Sequence, residues 1–91
     1  MWFLKGELGA SEVGLTVLEL EPGAEGKEHD ETESGQEEIY YVVDGTVEVS
    51  VGSETVTLGH DEAIRVDPSE RRKLHNVGDE RAKLVLVGAP L

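Results

Sequence analysis

The chain has 91 residues, no cysteine, and 20 acidic against 8 basic side chains, for a net charge of -12 and a pI near 4.4. This length sets one domain, residues 1–91, at the low end for a self-sufficient core, so association is expected to help it. The charge disfavours nucleic acid and anionic membranes as partners, and the lack of cysteine removes disulfides, thiolate metal centres and thiol nucleophiles.

Two readings of the acidic surface stand side by side: ordinary solvation, or adaptation of a halophile to high salt, which the four lysines also fit. No apolar run approaches the ~20 residues of a membrane span. The opening Met1-Trp2-Phe3-Leu4-Lys5 is too short and wrongly ordered for a signal peptide, so a cytoplasmic location is expected.

Taken in chain order, period-two alternation dominates and no segment carries a 3.6-residue apolar period. Residues 1–12 hold Trp2, Phe3 and Leu4 without an obvious hairpin partner. They are expected to pack at a homodimer interface or to cap the apolar end of the fold. Val13 to Leu20 reads as a strand closed by the Pro22-Gly23 turn, followed by a polar stretch over 24–36. Ile39 to Val43 is a strand, Asp44-Gly45 a tight hairpin signal, and Thr46 to Val51 the returning strand. Gly52-Ser53 turns into Thr55 to Leu58, and Gly59-His60-Asp61 leads into Ala63 to Val66. The last two strands are Arg71 to Asn76 and Arg81 to Val87, joined by Val77 to Glu80. Gly23, Gly45 and Gly59 read as turn glycines with positive φ. Seven or eight short strands with frequent turns predict an all-β sandwich or barrel, and closure into a small antiparallel barrel would remove the edges.

Within this pattern, five residues separate Gly23 from His29, and six separate Glu38 from Gly45. A second pattern runs from Gly59 through Pro68 to Asn76. Together they resemble the two motifs of the cupin superfamily, and the likeness extends from about Val13 to Pro90. The resemblance implies a jelly-roll-like double-stranded β-helix that often holds one divalent metal ion.

In the family pattern two histidines and a glutamate come from the first motif. His29 and Glu38 match, whereas Glu31 stands at the second histidine position. The gap from Glu31 to Glu38 exceeds the family spacing by two or three residues, which suggests an insertion within 32–36 and leaves the registration of Glu31 and Glu33 open. The second motif's histidine position, four residues before Asn76, is Arg72.

Alternation places Arg72, Leu74 and Asn76 on the inward face of one strand and His75 on the other. Lys73 and Arg71 would form with His75 a basic strip, either solvated or paired with acidic residues of a second subunit, and His60 is expected in solvent.

A metal site of His29, Glu31 and Glu38 would offer one imidazole and two carboxylates to iron, manganese, nickel or zinc. Arg72 cannot ligate a metal and keeps its charge, so it can instead serve as the cation that a buried Glu38 or Glu31 requires. Tyr40 shares a strand face with Glu38 and is either a cavity hydroxyl or a core tyrosine.

The first functional expectation is a small-molecule-binding module for a small polar or anionic ligand held by Arg72, Tyr40, Asn76 and Glu38. The alternative is a metal-dependent enzyme of dioxygenase or isomerase type using His29 and Glu38, and a third is a non-catalytic interaction domain. Whether the chain is an enzyme stays open at this point.

Overall fold

Eight strands and one helical turn make up the framework in a computed structural model that describes residues 1–91. In chain order they are β1 (Trp2–Phe3), α1 (Lys5–Leu8), β2 (Gly14–Leu20), β3 (Glu37–Asp44), β4 (Val47–Val51), β5 (Glu54–Leu58), β6 (Ala63–Val66), β7 (Arg72–Asn76) and β8 (Ala82–Ala89). The strands form a five-stranded sheet ordered β1-β2-β8-β3-β6 and a three-stranded sheet ordered β5-β4-β7. Every strand pair is antiparallel. The expected all-β, jelly-roll-like class is therefore present, but the sheets stay separate and do not close into one hydrogen-bonded barrel.

The free edge of β7 is nonetheless covered. Residues 23–29 run beside it, with Gly26 N–H donating to Leu74 O at 2.8 Å and reciprocal backbone bonds joining His29 and Arg72 at 2.8 and 3.0 Å. These bonds satisfy backbone groups that an open edge would leave unpaired.

Cross-strand register arranges the inner face of the larger sheet in ranks. Leu18, Leu84 and Val42 form one rank, and all three are buried. In the next rank Phe3, Thr16, Leu86, Tyr40 and Ile64 lie side by side across the five strands. Beyond it come Gly14, Gly88, Glu38 and Val66. The facing sheet packs Val47, Asn76 and Leu58 at one end, Val49, Leu74 and Val56 in the middle, and Arg72 with Val51 at the other end. The core is thus solid around Leu18, Leu84, Val42, Val47 and Val49. It opens where two facing glycines replace side chains opposite Glu38 and Arg72.

Only 14 of the 91 residues are buried, so the net stability, about 5–13 kcal/mol for a chain this long, is exposed to a single misplaced charge.

Several expectations change. Asp44-Gly45 is no hairpin: β3 pairs with β6 and β8 while β4 pairs with β5 and β7, so this turn carries the chain from one sheet to the other. Gly45 has φ +93°, and a Cβ there would lie 2.8 Å from Ala82 Cα, so both conformation and close approach demand glycine. A local hairpin signal fixes the turn but not the partner, and packing of the two sheets overrides it.

The N-terminal strand also finds a partner within its own chain, pairing Trp2 with Val17 and Phe3 with Thr16, although both aromatic side chains stay exposed. Gly59 lacks the expected positive φ. The left-handed residue of that turn is Asp61 at φ 62°, while Gly59 N–H donates to Glu62 Oε1 at 2.7 Å.

The basic strip meets carboxylates of the same chain. Arg71 lies 3.5 Å from Glu28 and 3.6 Å from Asp30, and Lys73 lies 3.2 Å from Glu25. His60 is exposed as expected, its Nδ1 2.6 Å from Val43 O. No helix is long and apolar enough to cross a membrane.

Candidate anion and metal site

The open end of the sheet pair is a cavity of about 480 Å³. Its polar floor comes from three places in the sequence. His29 arrives on the segment that covers β7, Glu38 and Tyr40 on alternate positions of β3, and Arg72 on the first residue of β7. Strand parity directs Glu38, Tyr40 and Arg72 inward, as the alternation predicts, whereas His29 is held by its backbone bridge to Arg72.

Glu38 is the hub. Its Oε1 accepts a hydrogen bond from Tyr40 Oη at 2.9 Å, lies 3.3 Å from Arg72 Nη2, and lies 3.7 Å from His29 Nε2. His29 Nε2 is also 3.6 Å from Glu31 Oε2, and its Nδ1 faces Lys27 O at 3.1 Å. That contact leaves Nε2 as the ring nitrogen turned toward the carboxylates.

Glu31 is held by its own turn. Its backbone N–H donates to Pro68 O, its carbonyl accepts from Gly35 N–H at 2.8 Å, and Ser34 Oγ donates to its Oε1 at 3.0 Å. Residues 32–36 fold as a turn with Gly35 at φ +68°, placing Glu31 beside His29 and leaving Glu33 in solvent.

Tyr40 is only 2 % exposed, and burial raises its hydroxyl pKa well above the tyrosine range, reinforced by the charge and the hydrogen bond of Glu38. It therefore remains a neutral donor to the carboxylate at any physiological pH.

Arg72 is fully buried and incompletely satisfied. Nη1 donates to Glu70 O at 2.8 Å. Nε and Nη2 have no hydrogen-bond partner, because the 3.3 Å approach to Glu38 is not aligned along an N–H. A buried donor without an acceptor costs about 1–3 kcal/mol, more when charged. Buried polar groups left in that state mark a place where something else supplies the acceptor.

Asn76, expected among the ligand-binding residues, does not line the cavity. It shares the inward face with Arg72, but four residues along β7 amount to ~13 Å, which sets it at the closed end. Its Nδ2 donates to Leu20 O and Glu80 O at 2.9 Å each, and its Oδ1 accepts from Gly78 N–H at 2.9 Å. It ties β2 and the 77–81 crossing together and has a structural role.

Sequence reasoning found Arg72 but missed the cavity's small residues and its rim lysines. Gly14 and Gly88 lie opposite each other on β2 and β8. Lys5, Lys27 and Lys73 join the rim. Gly14 inside a predicted strand is the available signal, since strand glycine often marks a close approach or a void, whereas Gly88 falls one residue beyond the expected end of the last strand. Lys5 and Lys27 come from separate elements and nothing local announces them, while Lys73 is expected only in the outward basic strip.

A jelly-roll sheet pair with an interior His/Glu cluster defines a small cupin. Residues 16–88 match the family model described as the cupin domain, and the chain belongs to that family. It is 34% identical over 84 residues to "Polyketide synthase CurC" of Streptomyces cyaneus, covering 92% of this chain and 53% of that protein. It is 33% identical over 84 residues to "Tetracenomycin polyketide synthase protein TcmJ" of Streptomyces glaucescens, covering 92% and 55%. The chain spans about half the length of these curated relatives. A cupin protein from Bacteroides fragilis, BF4112, shares the fold with a TM-score of 0.90 over 98% of this chain and 75% of that one, at 19% identity.

Cupins commonly hold a divalent ion, and the donors of His29, Glu31 and Glu38 lie within 4.8 Å of one another. In spacing this trio fits one ion. In chemistry it is a reduced set, with one imidazole, two carboxylates and a guanidinium at 3.3 Å from the carboxylate that would bind.

Proposed function

We propose that this cupin binds a small polar or anionic organic molecule in its cavity, with Arg72 as the receptor for the anionic group and Glu38 and Tyr40 beside it. The observation that carries the reading is the buried Arg72 guanidinium with Nε and Nη2 lacking acceptors. A carboxylate or phosphate supplies two acceptors in the geometry a guanidinium prefers. Neither nitrogen has surface open to water, so the anion reaches them as the Glu38 carboxylate swings aside. That carboxylate is 17% exposed and badly aligned on Nη2, which makes it a competitor of modest strength. The homodimer belongs to the same proposal, supported by exposed Trp2, Phe3 and Leu8 around the edge strand β1.

A second reading rests on the clustered donors of His29, Glu31 and Glu38. There a divalent ion would act as a Lewis acid on a substrate oxygen, in an enzyme of dioxygenase or isomerase type. Arg72 would orient an anionic substrate, Tyr40 would hold Glu38 in place, and His29 would keep its ring fixed through Lys27 O.

Elemental analysis and thermal shift separate the two. With an anion at tenfold its Kd, linkage gives about 1.4 kcal/mol, or a rise in Tm of about 6–11 °C for a domain this size. The anion reading expects that rise with carboxylates and none with divalent cations. One tightly held ion per chain, lost in His29→Ala, would overturn it in favour of the metal.

A further inference from the structure

The distribution of charge around the cavity runs against that of the whole molecule. The chain carries 20 acidic residues, yet Glu38 is the sole carboxylate lining the cavity. Four of the 8 basic residues, Lys5, Lys27, Arg72 and Lys73, line it. Arg65, Arg71, Arg81 and Lys73 are paired with surface carboxylates, Lys73 with Glu25 at 3.2 Å, whereas Lys5 and Lys27 at the rim have no acidic partner within 4 Å. With Glu38 set against Arg72 and Glu25 against Lys73, the unpaired Lys5 and Lys27 tip the mouth toward positive charge in an acidic protein, and a concave site focuses that field on the bound molecule.

The walls are of a different character. Leu18 from β2, Leu74 from β7 and Leu86 from β8 face the interior, and the exposed side chains of Phe3, Met1 and Leu91 line its outer part. Phe3 stands in register beside Thr16 and Leu86, so β1 extends the apolar wall outward even though its side chain is 73% exposed. A cavity of about 480 Å³ is within the range that takes a drug-sized molecule, well beyond what an inorganic anion fills.

From the joint arrangement we infer that the ligand is an amphipathic organic anion. Its acid group sits on Arg72 under the rim lysines, and a flat or alkyl apolar body lies along Leu18, Leu74 and Leu86 beneath Phe3. This inference rests on the reading of Arg72 as an anion receptor and adds the apolar half of the ligand. It also gives the exposed Phe3 an employment independent of subunit contacts.

Calorimetric titration of the full chain with acetate, benzoate, 2-naphthoate and the neutral 2-naphthamide tests it, on protein stripped with EDTA and then dialysed free of it. Burial of about 85 Å² of added apolar surface predicts 2-naphthoate binding about 30-fold more tightly than acetate, with benzoate between them. The amide should bind at least tenfold more weakly than 2-naphthoate, and Phe3→Ala, at an exposed position, should weaken 2-naphthoate about threefold to tenfold while leaving acetate unchanged. Equal affinities for acetate and 2-naphthoate would overturn the amphipathic class while leaving the anion receptor intact. Equal affinities for the amide and 2-naphthoate would overturn the charge requirement. Absence of binding by all the carboxylates would sink the receptor reading together with this one.

Discussion

Replacing Glu38 with glutamine sets the two readings of the site against each other, because they predict opposite signs. In the anion reading the Glu38 carboxylate competes with the ligand for Arg72. An acid group on Arg72 Nη2 would sit about 4 Å from Glu38, given the present separation of 3.3 Å between Glu38 Oε1 and Nη2. At an effective dielectric of about 20, two like charges at that distance repel by about 4 kcal/mol. Glu38 is partly exposed and free to swing outward, so about half of this, ~2 kcal/mol, survives as a real cost to binding. Glu38→Gln removes it and should tighten binding of a carboxylate about 30-fold.

The same change strips Arg72 of its counter-ion, and leaving a buried charge unpaired costs about 3 kcal/mol of stability in the ligand-free protein. Urea unfolding and calorimetric titration of one variant therefore give a lower stability and a higher affinity. A metal site predicts that affinity for substrate and ion fall together, since Glu38 is a ligand. A loss of carboxylate affinity in Glu38→Gln would rule out Glu38 as a competitor for Arg72.

The Tyr40 hydroxyl gives a pH signature. Its pKa is raised in the folded protein and ordinary in the unfolded chain, so above pH ~10 only the unfolded state releases that proton. Stability should be independent of this group below pH ~10 and fall above it by up to about 1.4 kcal/mol per pH unit, a slope that Tyr40→Phe reduces in urea unfolding at pH 9 to 11.5. Asn76→Ala orphans Leu20 O, Glu80 O and Gly78 N–H, so it should cost about 3 kcal/mol and shift the denaturation midpoint. Its effect on the carboxylate affinity of the folded fraction should be nil. Gly45→Ala combines a positive φ with a Cβ 2.8 Å from Ala82 Cα and should destabilise by about 3 kcal/mol in the same assay, with no change in ligand affinity.

Much of the fold was legible because it depends on local rules. Period-two alternation put Glu38, Tyr40, Arg72 and Leu74 on inner faces, and the structure holds them there. The spacings around Gly23, His29, Glu38 and Gly45 pointed to the family. What stayed hidden depends on partners distant in sequence. Asp44-Gly45 looks like a hairpin because turn chemistry is local, while the choice of β8 and β6 as partners for β3 is set by the packing of whole sheets.

Asn76 was placed at the site because it shares parity with Arg72, and parity says nothing about depth along a strand. The registration of Glu31 needed the turn at Gly35, whose positive φ is one that glycine permits but does not require. The lysine rim comes together from a helical turn, a loop and a strand, and only the folded chain brings it to one opening.

What occupies the space between Arg72, Glu38 and His29 separates an anion receptor from a metal centre. The most direct measurement is a crystal structure of the protein grown with benzoate, with anomalous data collected across the absorption edges of iron, manganese, nickel and zinc. An anion receptor shows a carboxylate bonded to Arg72 Nε and Nη2, the Glu38 carboxylate rotated away from Nη2, and no anomalous peak near His29 Nε2. An anomalous peak coordinated by His29, Glu31 and Glu38, with Arg72 still beside Glu38, would contradict it.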